Sequence, residues 1–176
     1  FVPAFKSVTS KYPLANWAEG DVYIMNDPYA GGSHIPDLII FVPTFYDGRV
    51  VAVSAINAHH QDVGGKSPGS MVVDATDIFQ EGLAIPPEKL YDKGELNETL
   101  WSMIERNVRE PRDVFGDLMA EVAAGNTAAQ RIGELLDRYG VATFDEVTLR
   151  LLEHSERLTR HEIEMIPDGT YQFTDY

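Results

Sequence analysis

The amino-acid sequence predicts an α+β protein in which a β-rich region precedes a mainly helical one. Three observations point there. Residues 20–85 are rich in Gly, Pro and β-branched side chains and hold three short strand-like runs. From Asn97 the apolar residues switch to helical spacing. The 176 residues are 44% apolar, which suits a packed core and is too apolar for a disordered chain. The reading divides the chain into a β-rich region at 1–96 and a helical region at 97–176, both parts of one larger domain.

The strand-like runs are Asp21–Met25, Leu38–Val42 and Val50–Ile56. The second is apolar throughout, as expected of a strand covered on both faces. Tyr46-Asp47-Gly48-Arg49 reads as a hairpin turn, because Asp-Gly tolerates the positive φ that tight turns need. The loops between the strands are dense in His, Asp and Gly. In the second region Leu100, Met103, Ile104 and Val108 recur at helical spacing until Pro111 interrupts them. A second helix is predicted from Val114 to about Tyr139, stopped by Gly140. A third is predicted from Thr143, where Glu146 completes a Thr-x-x-Glu capping box, with an apolar stripe of Val147, Leu151, Leu158 and Ile163. Asp168–Tyr176 reads as a turn followed by an alternating strand. A lone strand is unstable, so a longer polypeptide is expected to supply its partner.

Composition narrows the function. With no cysteine there is no disulfide framework, thiolate metal site or cysteine nucleophile. A formal charge of −14 argues against a polynucleotide or a membrane surface as partner. Residues 81–176 hold 20 of the 28 acids, which a solvated helical exterior explains. No run approaches the roughly 18 apolar residues of a membrane span, so a cytoplasmic location is expected.

The chemistry-bearing residues gather in two loops. His34 and Asp37 lie in Gly31-Gly32-Ser33-His34-Ile35-Pro36-Asp37, just before the apolar strand. His59 and His60 follow the next strand, in Ala58-His59-His60-Gln61-Asp62-Val63-Gly64-Gly65. A hairpin at Asp47-Gly48 sets the start of one strand beside the end of its partner, and so brings both loops together. Two imidazoles and a carboxylate on neighbouring loops suit a divalent transition metal with open positions. Such an ion acidifies water or polarises a carbonyl. Histidine and carboxylate ligands accept zinc, manganese and iron alike. Asp27 reads equally as an Asx-turn residue ahead of Pro28 or as a carboxylate orienting a histidine. Arg106, Arg109 and Arg112 read either as an anion clamp or as a solvated helix face, and His154 and His161 as surface residues.

Taken together, Gly20-Asp21-Val22, Asn26-Asp27-Pro28-Tyr29, the loops at 31–37 and 58–65, Pro68-Gly69-Ser70, Glu81-Gly82-Leu83, Ile85-Pro86-Pro87, Asn107–Pro111 and Gly116-Asp117-Leu118 resemble the hydantoinase B/oxoprolinase family. The resemblance runs from about Gly20 to Gly140 and more weakly beyond. It implies a fragment of a larger hydantoinase B-type fold within an ATP-dependent hetero-oligomer. There a hydantoinase A-type ATPase subunit or domain uses ATP to phosphorylate the substrate, and the B-type subunit completes the reaction at a metal. In the hydrolases, which act on cyclic amides such as hydantoins, 5-oxoproline and lactams, that step is ring opening by water. In the acetone and acetophenone carboxylases it is attack of an enol-type carbon on carbon dioxide.

Carried over by position, the family's metal ligands fall on His34, Asp37 and His59, with a further carboxylate ligand implied upstream of these motifs. His60 and Asp62 become candidates for general base or for orienting the ligands, and Arg109 for steadying a phosphorylated intermediate. The sequence departs from many relatives in carrying Glu121 for glutamine and Ser33 for threonine. The expectation is a metal-dependent cyclic amide hydrolase subunit. A ketone carboxylase subunit is the alternative, and a non-catalytic scaffold for the ATPase is a third.

Overall fold

Asp47 and Gly48 both adopt positive φ, 49° and 73°. This is the two-residue turn whose twist matches that of antiparallel strands. In the computed structural model, which describes residues 1–175, the turn joins β2 (Asp37–Tyr46) to β3 (Arg49–His59). Their register puts Asp37 opposite His59 and Tyr46 opposite Arg49, with one irregularity between Thr44 and Phe45. β1 (Val22–Met25) lies on the other side of β2, followed by β4 (Glu88–Asp92) and β5 (Glu95–Leu96). The five strands run antiparallel in the order β3-β2-β1-β4-β5.

Strand alternation sends side chains to both faces, and both are covered. On one face Val22, Ile24, Leu38, Ile40, Val42 and Leu90 pack against Ile104, Val114, Leu118 and Val122. These last belong to α2 (Glu98–Asn107) and α3 (Pro111–Tyr139). On the other face Tyr23, Met25, Ile39 and Phe41 pack against Ala4, Val8 and Trp17, the first two from α1 (Val2–Lys11). Double coverage is why β2 reads as an unbroken apolar run. At Gly125 the helix α3 comes so close that an added Cβ would stand 2.4 Å from Val42 Cγ2. Trp101 and Phe115 stack with centroids 3.8 Å apart and tie α2 to α3.

Buried polar residues fix the loops. Asn26 accepts from the Ile85 amide and donates to the carbonyls of Ile35 and Leu83, holding three loop segments around the end of β1. Asp21 accepts from the amides of Ala18 and Lys93, the Tyr23 hydroxyl and the Lys89 ammonium. Burial pushes its carboxyl up, but these donors outweigh the effect and hold it below the usual carboxylate range.

Two compact units form, one spanning Phe1–Glu134 and the other beginning at Leu135. The first contains the whole sheet with α1, α2 and most of α3, up to Glu134. Elements on either side of residue 97 therefore share one core, because α2 and α3 pack on the strands. The second unit holds the end of α3, α4 (Val141–Glu164) and the segment after it. Its helix carries i,i+4 ion pairs Glu146–Arg150 and Glu156–Arg160. Val147, Leu151, Leu158 and Ile163 form the expected stripe but are exposed.

Three expectations need correction. α4 begins at Val141 rather than Thr143, because Gly140 at φ 79° turns the chain at once and its carbonyl already accepts from the Phe144 amide. Thr143 thus lies inside the first turn and makes no capping box. Residues 170–175 form no strand, since a strand is stable only as part of a ladder. The expected strand's last residue, Tyr176, lies outside the described residues. Finally, α1, β4 and β5 were not anticipated from the sequence. Among the described residues no helix is long and apolar enough to cross a membrane.

Candidate metal centre

The β2–β3 hairpin closes at Asp47-Gly48 and opens at its other end, where Asp37 and His59 face each other as a pair. His34 reaches the same point from the loop before β2. That loop is held by the His34 carbonyl, which accepts from the Asp37 amide, and by Asn26, which donates to the Ile35 carbonyl. His34 Nε2 lies 2.6 Å and His59 Nδ1 3.0 Å from Asp37 Oδ1, and the two ring nitrogens are 3.2 Å apart. Each of the three side chains can offer one ligand atom, and these atoms all lie within 4.8 Å of one another.

The carboxylate is presented from behind. Ser33 Oγ donates to Asp37 Oδ2 at 2.5 Å and Asn57 Nδ2 at 3.4 Å, which leaves Oδ1 turned to the imidazoles. Burial pushes the Asp37 carboxyl up, but the hydrogen bond from Ser33 and the contacts with His34, His59 and Asn57 outweigh it and bring it to about 2. Asp37 is therefore an anion at any physiological pH. Its side chain is 15% exposed, whereas those of His34 and His59 are 40% and 48% exposed. The centre opens to solvent on the imidazole side and is closed beneath the carboxylate. Two imidazole nitrogens and one anionic oxygen aimed at a common point fit a divalent transition metal with positions left for other ligands.

The remaining candidates lie elsewhere in this arrangement. His60 is fully buried, with Nε2 2.6 Å from Glu121 Oε1 on α3. Burial pushes the Glu121 carboxyl up, against the pull of His60. Asp62 is buried as well. Its Oδ1 accepts from the Gly64 amide and the Arg109 guanidinium, and its Oδ2 from the amides of Arg109 and Glu110. Burial pushes this carboxyl up too, but those donors hold it low. Both residues, expected as general base or as orienting the ligands, are thus engaged inside the protein. Arg109 donates to the carbonyls of Gly64 and Gly65 in addition to Asp62, so its guanidinium secures the glycine loop. Asp27 accepts from the Tyr29 amide, which is the Asx-turn alternative.

Sequence reasoning did not single out Ser33, Asn57 or Asn26 for the roles they take. Asn57 had a local signal, since strand alternation sets it on the same face as His59. Glu121 had none, because it lies 61 residues from His60.

The sequence and the fold are similar to those of known proteins. The hydantoinase B/oxoprolinase family model matches residues 2–176. The B-type subunit of a putative D-/L-hydantoinase from Pseudomonas sp. (strain NS671) is 40% identical over 154 residues, covering 87% of this chain and 26% of that protein. The acetophenone carboxylase delta subunit of Aromatoleum aromaticum is 34% identical over 167 residues, 92% of this chain and 24% of that one. The crystal structure of the ATP-dependent caprolactamase from Pseudomonas jessenii superposes with a TM-score of 0.88 at 36% identity, over 96% of this chain and 29% of that one. The chain thus spans between a quarter and a third of the lengths of the hydantoinase protein and the caprolactamase chain. On the family match and these identities, the chain belongs to the hydantoinase B/oxoprolinase family.

Proposed function

We propose that this chain carries the metal centre of an ATP-dependent cyclic amide hydrolase of the hydantoinase, oxoprolinase or lactamase type. His34, Asp37 and His59 are the ligands it supplies. The convergence of three ligand atoms within 4.8 Å at the open end of the β2–β3 hairpin carries the reading. Similarity to a hydantoinase and to an ATP-dependent caprolactamase supports the substrate class and the use of ATP. A hydantoinase A-type ATPase subunit phosphorylates the substrate, and the two subunits work as a hetero-oligomer.

When bound, a zinc, manganese or iron ion supplies Lewis acidity toward a carbonyl-derived oxygen. The chain's own residues do the rest. Asp37 stays ionised and contributes the negative charge that balances a dication. Ser33 and Asn57 fix its second oxygen, so the first keeps its direction. The half-exposed imidazoles leave the substrate side open, while Asp62 and Arg109 hold the glycine loop that follows His60.

Ketone carboxylation is the second reading, and similarity to the acetophenone carboxylase delta subunit favours it. Both reactions need a Lewis acid beside an activated oxygen. The test is the complete protein purified with its ATPase partner, with elemental analysis and ATP breakdown measured against lactam and ketone panels. Stoichiometric metal with lactam-stimulated ATP breakdown is expected. Stimulation by ketones and bicarbonate alone would establish the carboxylase, and metal-free protein that still turns over would exclude both readings of the centre.

A further inference from the structure

The sheet end that bears the three ligands is braced from the opposite face. Alternation turns His59 to the α1 side and His60 to the α3 side, where its imidazole is fully buried against Glu121. Taking an imidazole and a carboxylate out of water costs more than packing apolar groups of the same size. Among the described residues, His60 Nδ1 and Glu121 Oε2 are also buried without a partner. Core filling is therefore a poor account of this pair, since two leucines would serve it better. Its distinguishing property is direction, because a hydrogen bond at 2.6 Å orients what a hydrophobic contact only fills.

What it orients is the ligand set. The His60 amide donates to the Pro36 carbonyl at 2.8 Å. Pro36 directly precedes Asp37, and His60 directly follows His59. One residue is thus bonded to the backbone beside one ligand and covalently joined to another. Its side chain is pinned to α3, which itself packs tightly on the sheet at Gly125. We propose that His60 and Glu121 are positioning residues that set the separation of Asp37 and His59, a role that rests on the reading of the trio as a metal centre. Loss of the pair lets the ends of β2 and β3 shift independently and weakens the site without removing a ligand.

The test measures Co²⁺ binding to the complete protein, by its visible absorption and by competition with a chelator, together with thermal stability. Glu121→Leu and His60→Leu are expected to weaken Co²⁺ binding by about 10- to 100-fold, the usual range for residues that orient metal ligands. Glu121→Gln keeps an acceptor for His60 and is expected to bind Co²⁺ as the wild type does. The double variant His60→Leu/Glu121→Leu regains thermal stability over either single variant but not affinity, and its Co²⁺ absorption stays altered. A purely structural pair predicts the opposite, with affinity returning alongside stability, and that outcome overturns the proposal. Equal Co²⁺ binding by the wild type and His59→Ala would instead refute the metal centre itself, and the positioning role with it.

Discussion

Asp37 and His59 face each other across the β2–β3 ladder, and His59 Nδ1 lies 3.0 Å from Asp37 Oδ1. The pair forms the last rung of the ladder, where strand spacing brings carboxylate and imidazole together on one sheet face and the His60–Pro36 bond holds that end closed. His34 completes the set from a loop that Asn26 and the Pro36–His60 bond keep in place.

This relationship predicts how His59→Ala behaves. The imidazole is about half exposed, so with both proteins metal-free its loss changes stability by no more than about 0.5 kcal/mol, as for most surface substitutions. Metal content of the complete protein is expected to fall to background, and turnover with it. Elemental analysis beside a thermal melt checks both statements.

Asn26→Ala is expected to do the reverse. Its fully buried side chain serves one amide and two carbonyls, and alanine leaves all three without it. Each orphaned buried group costs about 1–3 kcal/mol, so urea denaturation should show a loss of several kcal/mol. A loss below about 1 kcal/mol would mean the loops relax to find other partners.

Gly125→Val tests the approach of α3 to the sheet. Even a Cβ there would stand 2.4 Å from Val42 Cγ2 and 3.2 Å from Ile56 Cδ1. Overpacking of this kind costs about 1–3 kcal/mol, and the Val42→Ala/Gly125→Ala pair should recover part of the clash contribution in a double-mutant cycle.

Acid sensitivity follows from Asp21 and Asp62, whose carboxyls are held below their ordinary range by hydrogen bonds that outweigh burial. The sign is that of a depressed folded-state value. The unfolded chain binds these protons first, near pH 4, so the stabilisation is complete above that value. It is lost as pH falls from there through the lower folded-state values. Chemical denaturation between pH 3 and 6 should show stability falling toward the acid side, with a shallower slope in Asp21→Asn, which cannot gain the proton. An unchanged slope in that variant would assign the effect to other carboxylates.

The hairpin and the convergence of His34, Asp37 and His59 were legible because their determinants are local. Asp47-Gly48 fixes the turn, the turn fixes the register, and the register sets Asp37 beside His59. The short strands β4 and β5 escaped notice because Glu88–Asp92 buries only Leu90 fully and the rest of the run is charged or half-exposed. Arg109 read as an anion clamp or a helix surface because nothing nearby in sequence reveals Asp62 as its partner, 47 residues earlier. The capping box at Thr143 matched a real sequence pattern, but Gly140 had already turned the chain into the helix. Long-range pairing and backbone turns thus account for what sequence pattern left unread.

The sheet order has a consequence for how the centre breathes. β2 is flanked by strands on both sides and covered on both faces, whereas β3 is the outermost strand. Ile39–Phe41 are paired on both sides and therefore exchange their amide hydrogens only on wide opening, whereas β3 is bonded on one side alone and exchanges more readily. Deuterium uptake is expected to be faster along β3 than at Ile39–Phe41, and slow again at His60, whose amide is bonded to the Pro36 carbonyl.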